Sequence, residues 1–302
     1  MLKSTWEDVK REFTIGNSVT KLIIVNVTIF VLINLVKMFM GGNGEPFRAL
    51  LYKFCISGVA FDNLKEPWRM FTSIFLHEDF GHILWNMLVF YWFGRIVGDL
   101  MGYRRILPVY LLGGIAGGLV FIISNALGFM TGGYLLGASA GIMAILMVAG
   151  MKAPDYRLHL LFIGEVKLKY IALAVFFLDL VSISNYDNTG GHLAHIGGFM
   201  FGGLYVYLLN KGIDLGEPVH QVLDSLTTFF RGLFSGESRR KRPEKVFTNT
   251  AANKKKNTPP KPKEADIAHQ EKLDTILDKI KQSGYNSLTQ EEKEFLFKAS
   301  NQ

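Results

Sequence analysis

A single cysteine, Cys55, stands alone in 302 residues. That excludes a disulfide framework and any metal site built from thiolates. An HExxH run is also absent, which removes the most specific helical zinc-protease signature. The opening stretch, Met1 to Val19, mixes charged and polar residues without an apolar core before a small-residue cleavage site. No removable signal peptide is therefore expected, and on that ground a bacterial inner (cell) membrane is the expected location. Acidic residues fall short of basic ones, giving a net charge of +7. The excess lies in the C-terminal third, so nucleic acid is not expected as a partner. Basic residues near a membrane follow from the preference of Lys and Arg for cytoplasmic loops.

What is present is segregated. The chain is 49% hydrophobic yet 20% charged, with a mean hydropathy of +0.21. Its apolar residues collect in six segments near the roughly 20 residues needed to cross ~30 Å of hydrocarbon. These are Leu22 to Met40, Ile83 to Val97, Ile106 to Leu127, Leu135 to Gly150, Leu168 to Ile183 and Leu193 to Leu209. The expected fold class is an all-α membrane protein of six transmembrane helices with a cytoplasmic C-terminal tail. The fourth and fifth segments are short, which is tolerated where an end is buried in protein or lines a watery cavity. Lys and Arg occupy the stretch before the first segment and the loops after the second and fourth, and are missing after the third and fifth. Both termini are therefore expected in the cytoplasm.

The chain divides into a cytoplasmic N-terminal segment (1–21), a membrane domain (22–210) and an amphipathic juxtamembrane segment (211–236). A basic linker expected to be disordered (237–265) and a C-terminal helical hairpin (266–302) complete it. Phe229, Phe230 and Phe234 make the juxtamembrane segment a candidate for membrane lipid. Arg239 to Arg242, Lys254 to Lys256 and Pro259 to Pro262 mark the linker. In the tail, Leu273, Ile276, Leu277 and Ile280 repeat at helical spacing, Gly284 supplies a stop, and Thr289 with Glu292 forms a capping box. A cytoplasmic partner is the expected use of this hairpin.

Two runs carry chemistry. Gly137-Ala138-Ser139-Ala140-Gly141 places a hydroxyl among small residues, and Gly190-Gly191-His192-Leu193-Ala194-His195-Ile196-Gly197-Gly198 places imidazoles at the head of another apolar segment. Ionisable residues within membrane segments are functional candidates by default. In the six-helix topology, the second, fourth and sixth segments all start at the outer face. His82 and Asn86, Ser139, and His195 then share one depth. Serine needs an adjacent base to become nucleophilic, and His195 is of the right type. Gly198 and Gly202 share the face of His195 and would let the sixth segment press on the fourth. His82 and Asn86, four apart, offer N–H groups to a developing oxyanion, and the Ser139 amide is a third donor. No carboxylate is evidently placed to orient His195. Asp187 is nearest but lies in the outer loop, so a Ser–His dyad is expected and a triad is not. Two other classes stay open. His77, His82, His192 and His195, with Glu78 and Asp79, offer ligands for zinc or another divalent ion. Asp179 within the fifth segment would suit a channel or transporter, although an inter-helix hydrogen bond explains it as well.

Taken together, Trp68-Arg69, His82-Ile83-Leu84-Trp85-Asn86, Gly137-Ala138-Ser139 and Ala194-His195-Ile196-Gly197-Gly198 resemble, in order and spacing, the rhomboid intramembrane serine proteases. The resemblance covers about Leu22 to Asn210. It implies a six-helix rhomboid-like bundle around a water-filled cavity open to the outer side, with no metal or organic cofactor. Ser139 would be nucleophile, His195 general base, and His82 and Asn86 oxyanion contributors. The first loop, with Trp68 and Arg69, would brace the outer leaflet, and the fifth segment would be a lateral gate. Transmembrane proteins would be the substrates, cut where small or helix-breaking residues ease unwinding. A catalytically silent client-binding relative is the alternative. Two positions depart from the pattern. Ala140 stands where the family usually has glycine, narrowing the approach to the sixth segment. Met143 stands where an aromatic often stacks on the histidine, and its thioether can still pack against a ring edge.

Overall fold

The structure, a computed structural model, describes residues 10–14, 16–160, 163–183, 188–234, 264–284 and 287–299. It separates into two compact units, residues 1–237 and 238–302. Asp187 lies outside the described residues, as do about half of the N-terminal segment and nearly all of the basic linker.

The first unit is mostly helical. It contains α1 (Ser18–Phe39), α2 (Glu45–Tyr52), α3 (Ala60–Lys65), α4 (Arg69–Thr72), α5 (Phe80–Met101) and α6 (Ile106–Ala126). These are followed by α7 (Ser139–Lys152), α8 (Leu168–Ser182), α9 (Thr189–Asn210) and α10 (Gly216–Phe234). Among the described residues, three stretches are long and apolar enough to cross a membrane: Ser18–Phe39, Tyr103–Ala126 and Thr189–Asn210. The helical expectation holds in the main. Among the described residues, two short antiparallel ladders accompany the helices, β1 (Ile56–Ser57) with β2 (Tyr134–Leu135), and β3 (Arg157–Leu160) with β4 (Gly164–Lys167). Tyr134 and Leu135 are therefore strand, and the fourth apolar helix begins at Ser139 rather than Leu135. Gly137, at φ +124°, turns the chain between them in a conformation that disfavours side chains.

Glycine sets the packing of α6, α7 and α9. A Cβ on Gly198 would lie 2.0 Å from the Ala140 carbonyl oxygen, and one on Gly202 would lie 2.4 Å from that of Ala144. No side chain fits there, so α9 meets α7 backbone to backbone, as in small-residue membrane interfaces. On α6, a Cβ on Gly113 would lie 2.4 Å from the Ala144 methyl. The Ala140 methyl sits over Gly117, whose missing Cβ would lie 2.5 Å from it, while the Ala140 carbonyl faces Gly198. The expected narrowing by Ala140 thus falls chiefly on α6, which answers it with glycine.

Buried polar side chains join the remaining elements. Asn26 on α1 donates to the Leu22 carbonyl at 2.8 Å and to the Tyr110 hydroxyl at 3.1 Å, tying α1 to α6. In the first loop, buried Arg69 donates to the carbonyls of Tyr52 and Cys55 and pairs with Glu66. Trp68 donates to the Lys53 carbonyl at 3.0 Å. These bonds join α2 to α4. Near the end of α9, Asp214 accepts from Tyr205, Arg105 and the Gly216 amide. Burial works to raise the Asp214 pKa, but those donors hold it below the ordinary carboxylate range.

The second unit holds α11 (Glu264–Ser283) and α12 (Gln290–Ala299), with Ile276 and Leu288 buried. Thr289 and Glu292 cap α12 reciprocally, at 2.7 and 3.4 Å, and Lys279 pairs with Glu292 at 2.8 Å.

Candidate active site

Ser139 is the first residue of α7, so no helical turn precedes it to receive its hydroxyl. The Gly137 amide donates to the Ser73 carbonyl at 2.8 Å, fixing the approach to Ser139 against the loop that carries α4. The first amides of a helix lack intrahelical acceptors and suit an anion. The Ser139 hydroxyl therefore stands beside unspent N–H donors.

His82 and Asn86 come from the first turns of α5, whose N-terminus is capped by Asp79 accepting from the His82 amide at 2.8 Å. A Cβ on Gly137 would lie 3.1 Å from His82 Nε2 and 3.7 Å from Ser139 Oγ, so imidazole and hydroxyl flank the same glycine. His195 comes from the second turn of α9. Ser139, His195, His82 and Asn86 line one cavity of about 740 Å³, and Met143 lines it too. The four candidates, drawn from α5, α7 and α9, are thus brought to one place.

The expectation that no carboxylate orients His195 is overturned. Asp179, on α8, places Oδ1 3.0 Å from His195 Nδ1 and 2.7 Å from His192 Nδ1. A carboxylate only accepts, so each neutral ring donates from Nδ1 and keeps the lone pair on Nε2. For His195 that is the tautomer in which Nε2 can take a proton. Asp179 is largely buried and its partners are both histidines, the inter-helix bonding allowed for it. Sequence reasoning aligned the segments expected to start at the outer face and passed over the one expected to end there. The signal was the lone acid in an apolar segment, which requires a partner.

The wider zinc set does not assemble. Asp79 serves as a helix cap, and His77 packs edge-on to His82 with ring centroids 5.0 Å apart. Among the described residues, the one His, Cys, Asp or Glu group close enough to share an ion is Asp179, His192 and His195.

Ser139 and His195 thus line one cavity among closely packed, apolar helices of a multi-pass membrane protein. Residues 64–212, from the end of α3 to just past α9, match the rhomboid domain, and the chain belongs to the rhomboid family. Residues 263–302 match a family of unknown function, DUF6576. Similar proteins include RHOMBOID-like protein 12, mitochondrial, of Arabidopsis thaliana, 27% identical over 51% of this chain and 50% of its own length. Presenilin-associated rhomboid-like protein, mitochondrial, of Homo sapiens is 27% identical over 63% of this chain and 47% of its own length. Rhomboid-like protease 3 of Toxoplasma gondii is 25% identical over 63% of this chain and 65% of its own length. The chain spans about half the length of the first two.

Proposed function

We propose that the protein is an intramembrane serine endopeptidase that cleaves membrane-spanning segments of other proteins. One observation carries the reading: Ser139, at the mouth of a helix, shares a cavity with His195, whose Nδ1 faces a carboxylate. His195 Nε2 takes the Ser139 proton as Oγ attacks the scissile carbonyl, and later gives it to the departing amine. His82, Asn86 and the Ser139 amide face the charge that develops on the carbonyl oxygen. Asp179 touches no substrate. It is a positioning residue that keeps His195 in the basic tautomer, so the Ser–His dyad works with a third, orienting member.

Six helices, α1 and α5 to α9, form the spanning bundle, with both termini cytoplasmic. The cavity then opens to the outer side, and α8 is the lateral entrance for a substrate helix. The juxtamembrane helix α10 lies along lipid, and the C-terminal hairpin meets a cytoplasmic partner.

The test is cleavage of a tagged single-span substrate in proteoliposomes by wild type and by Ser139→Ala. Cleavage lost in the variant supports the reading, and equal cleavage by both sinks it. Stable binding of the substrate by a protein that never cuts it would favour the silent client-binding relative.

A further inference from the structure

We infer that Asp179, His192 and His195 form a binding site for a dication of the zinc class, and that occupation of this site switches the peptidase off. The site stands on geometry alone; only its consequence rests on the protease reading. Asp179 Oδ1, His192 Nδ1 and His195 Nδ1 all lie within 4.8 Å of one another. Ligand atoms about 2.0–2.2 Å from a tetrahedral ion sit roughly 3.3 Å apart, so small side-chain movements convert the present hydrogen bonds into coordination. Two imidazoles and one carboxylate select zinc and its neighbours over magnesium or calcium. The three residues line the 740 Å³ cavity, which gives an ion an entry path and room for a water in the fourth position.

The consequence follows from proton placement. A neutral imidazole carries one N–H. Coordination through Nδ1 needs a lone pair there, so the hydrogen leaves Nδ1 and the ring carries it on Nε2 instead. His195 then offers Ser139 a donor where catalysis needs an acceptor. The same ion ties α8 to α9 and pins the proposed substrate entrance closed. His192 has no step in the peptide-cleavage scheme, yet it shares the carboxylate oxygen with His195. An ion site gives it a use.

The full chain carrying Ser139→Ala, in lipid nanodiscs, is titrated with Co²⁺ and then Zn²⁺. Expected is a visible d–d absorption saturating at one ion per chain and displaced by zinc. Adding His192→Ala, His192→Gln or Asp179→Asn should weaken binding at least tenfold. Absence of the absorption, or equal affinity in the folded variants, overturns the site. In the second arm, micromolar zinc slows wild-type cleavage tenfold or more and a chelator restores it. His192→Ala should lose at least tenfold of that zinc sensitivity. Equal sensitivity in His192→Ala overturns the inference. Cobalt binding without cleavage by any sample removes the protease reading and leaves the site standing; cleavage without cobalt binding does the reverse.

Discussion

The two faces that α9 presents are held by different physics. Toward α7 it packs on glycine, with Gly198 and Gly202 pressed against the carbonyls of Ala140 and Ala144. Toward α8 it is joined by side chains: the Asp179 bonds to His192 and His195, and a stack of Phe176 on Phe199 with centroids 4.9 Å apart. Backbone contact leaves no rotamer to adjust, whereas side-chain contact can be broken and remade. On the face of α8 away from the cavity, Leu173, Phe177 and Val181 are exposed, as for a helix that meets lipid. In the proposed mechanism Ser139 and His195 thus sit on the glycine-packed side of the cavity, and Asp179 sits on the side held by side chains. A substrate entering past α8 would disturb the acid before it disturbed the dyad.

The largest effect is expected from Gly198→Val. Its Cβ would fall 2.0 Å from the Ala140 oxygen, so either α7, which carries Ser139, or α9, which carries His195, must withdraw. Overpacking of this kind costs about 3 kcal/mol or more. Cleavage should vanish and the thermal midpoint in lipid should drop; a variant that cuts normally would show that the glycine contact is not what sets the dyad. Next comes Asp179→Asn, expected to lower kcat about 100-fold or more with little change in KM or thermal midpoint. The amide can donate as well as accept, so His195 loses its tautomer preference. Asp179→Glu should restore part of the rate and Asp179→Ala should not. A rate unchanged by Asp179→Asn would reduce the carboxylate to a packing role.

This difference between the faces also explains what could be read from the chain. The glycines at 198 and 202 announce a close helix contact because their spacing matches the helical period, which is a local property. Ser139 and His195 stand out for the same reason. Asp179 is separated from His195 by 16 residues and a reversal of chain direction, and only the antiparallel course of α8 and α9 brings them level. The two-residue strands β1 and β2 fall below any readable periodicity, and the apolar pair Tyr134-Leu135 extends the α7 pattern until Gly137 turns the chain. In β3, Arg157 to Leu160 does alternate polar and apolar residues, yet its basic composition reads equally as a cytoplasmic loop.

A smaller effect tests the fixed side by pH. His77 is buried beside His82, which lines the cavity, and burial holds its pKa down at about 4 from an ordinary 6.5, with His82 adding to the shift. The unfolded chain therefore takes up this proton first. Stability from a neutral His77 is complete above about 6.5 and is lost as pH falls from there toward 4, by about 3 kcal/mol at most. Thermal midpoints in lipid, compared at pH 7 and pH 5, should fall less for His77→Gln than for wild type. Identical slopes would mean that the ring is already solvated and is no part of the rigid wall.

The smallest effect belongs to the movable side. Phe176→Ala removes the aromatic stack on Phe199 and leaves the Asp179 bonds in place. Such a pair contributes about 0.5–1.5 kcal/mol beyond its area. If admission of a substrate helix past α8 limits turnover, losing that contact makes opening easier by the same amount, and kcat/KM should rise roughly two- to tenfold. The thermal midpoint should fall slightly, because the closed form alone contains the stack. Loop and helix gating can set the rate without touching the chemistry, so pre-steady-state cleavage of substrate already bound should be unchanged. A fall in kcat/KM like that of Gly198→Val would place α8 in the fixed frame with α7. Both faces of α9 would then be rigid, and substrate would have to enter by another wall of the cavity.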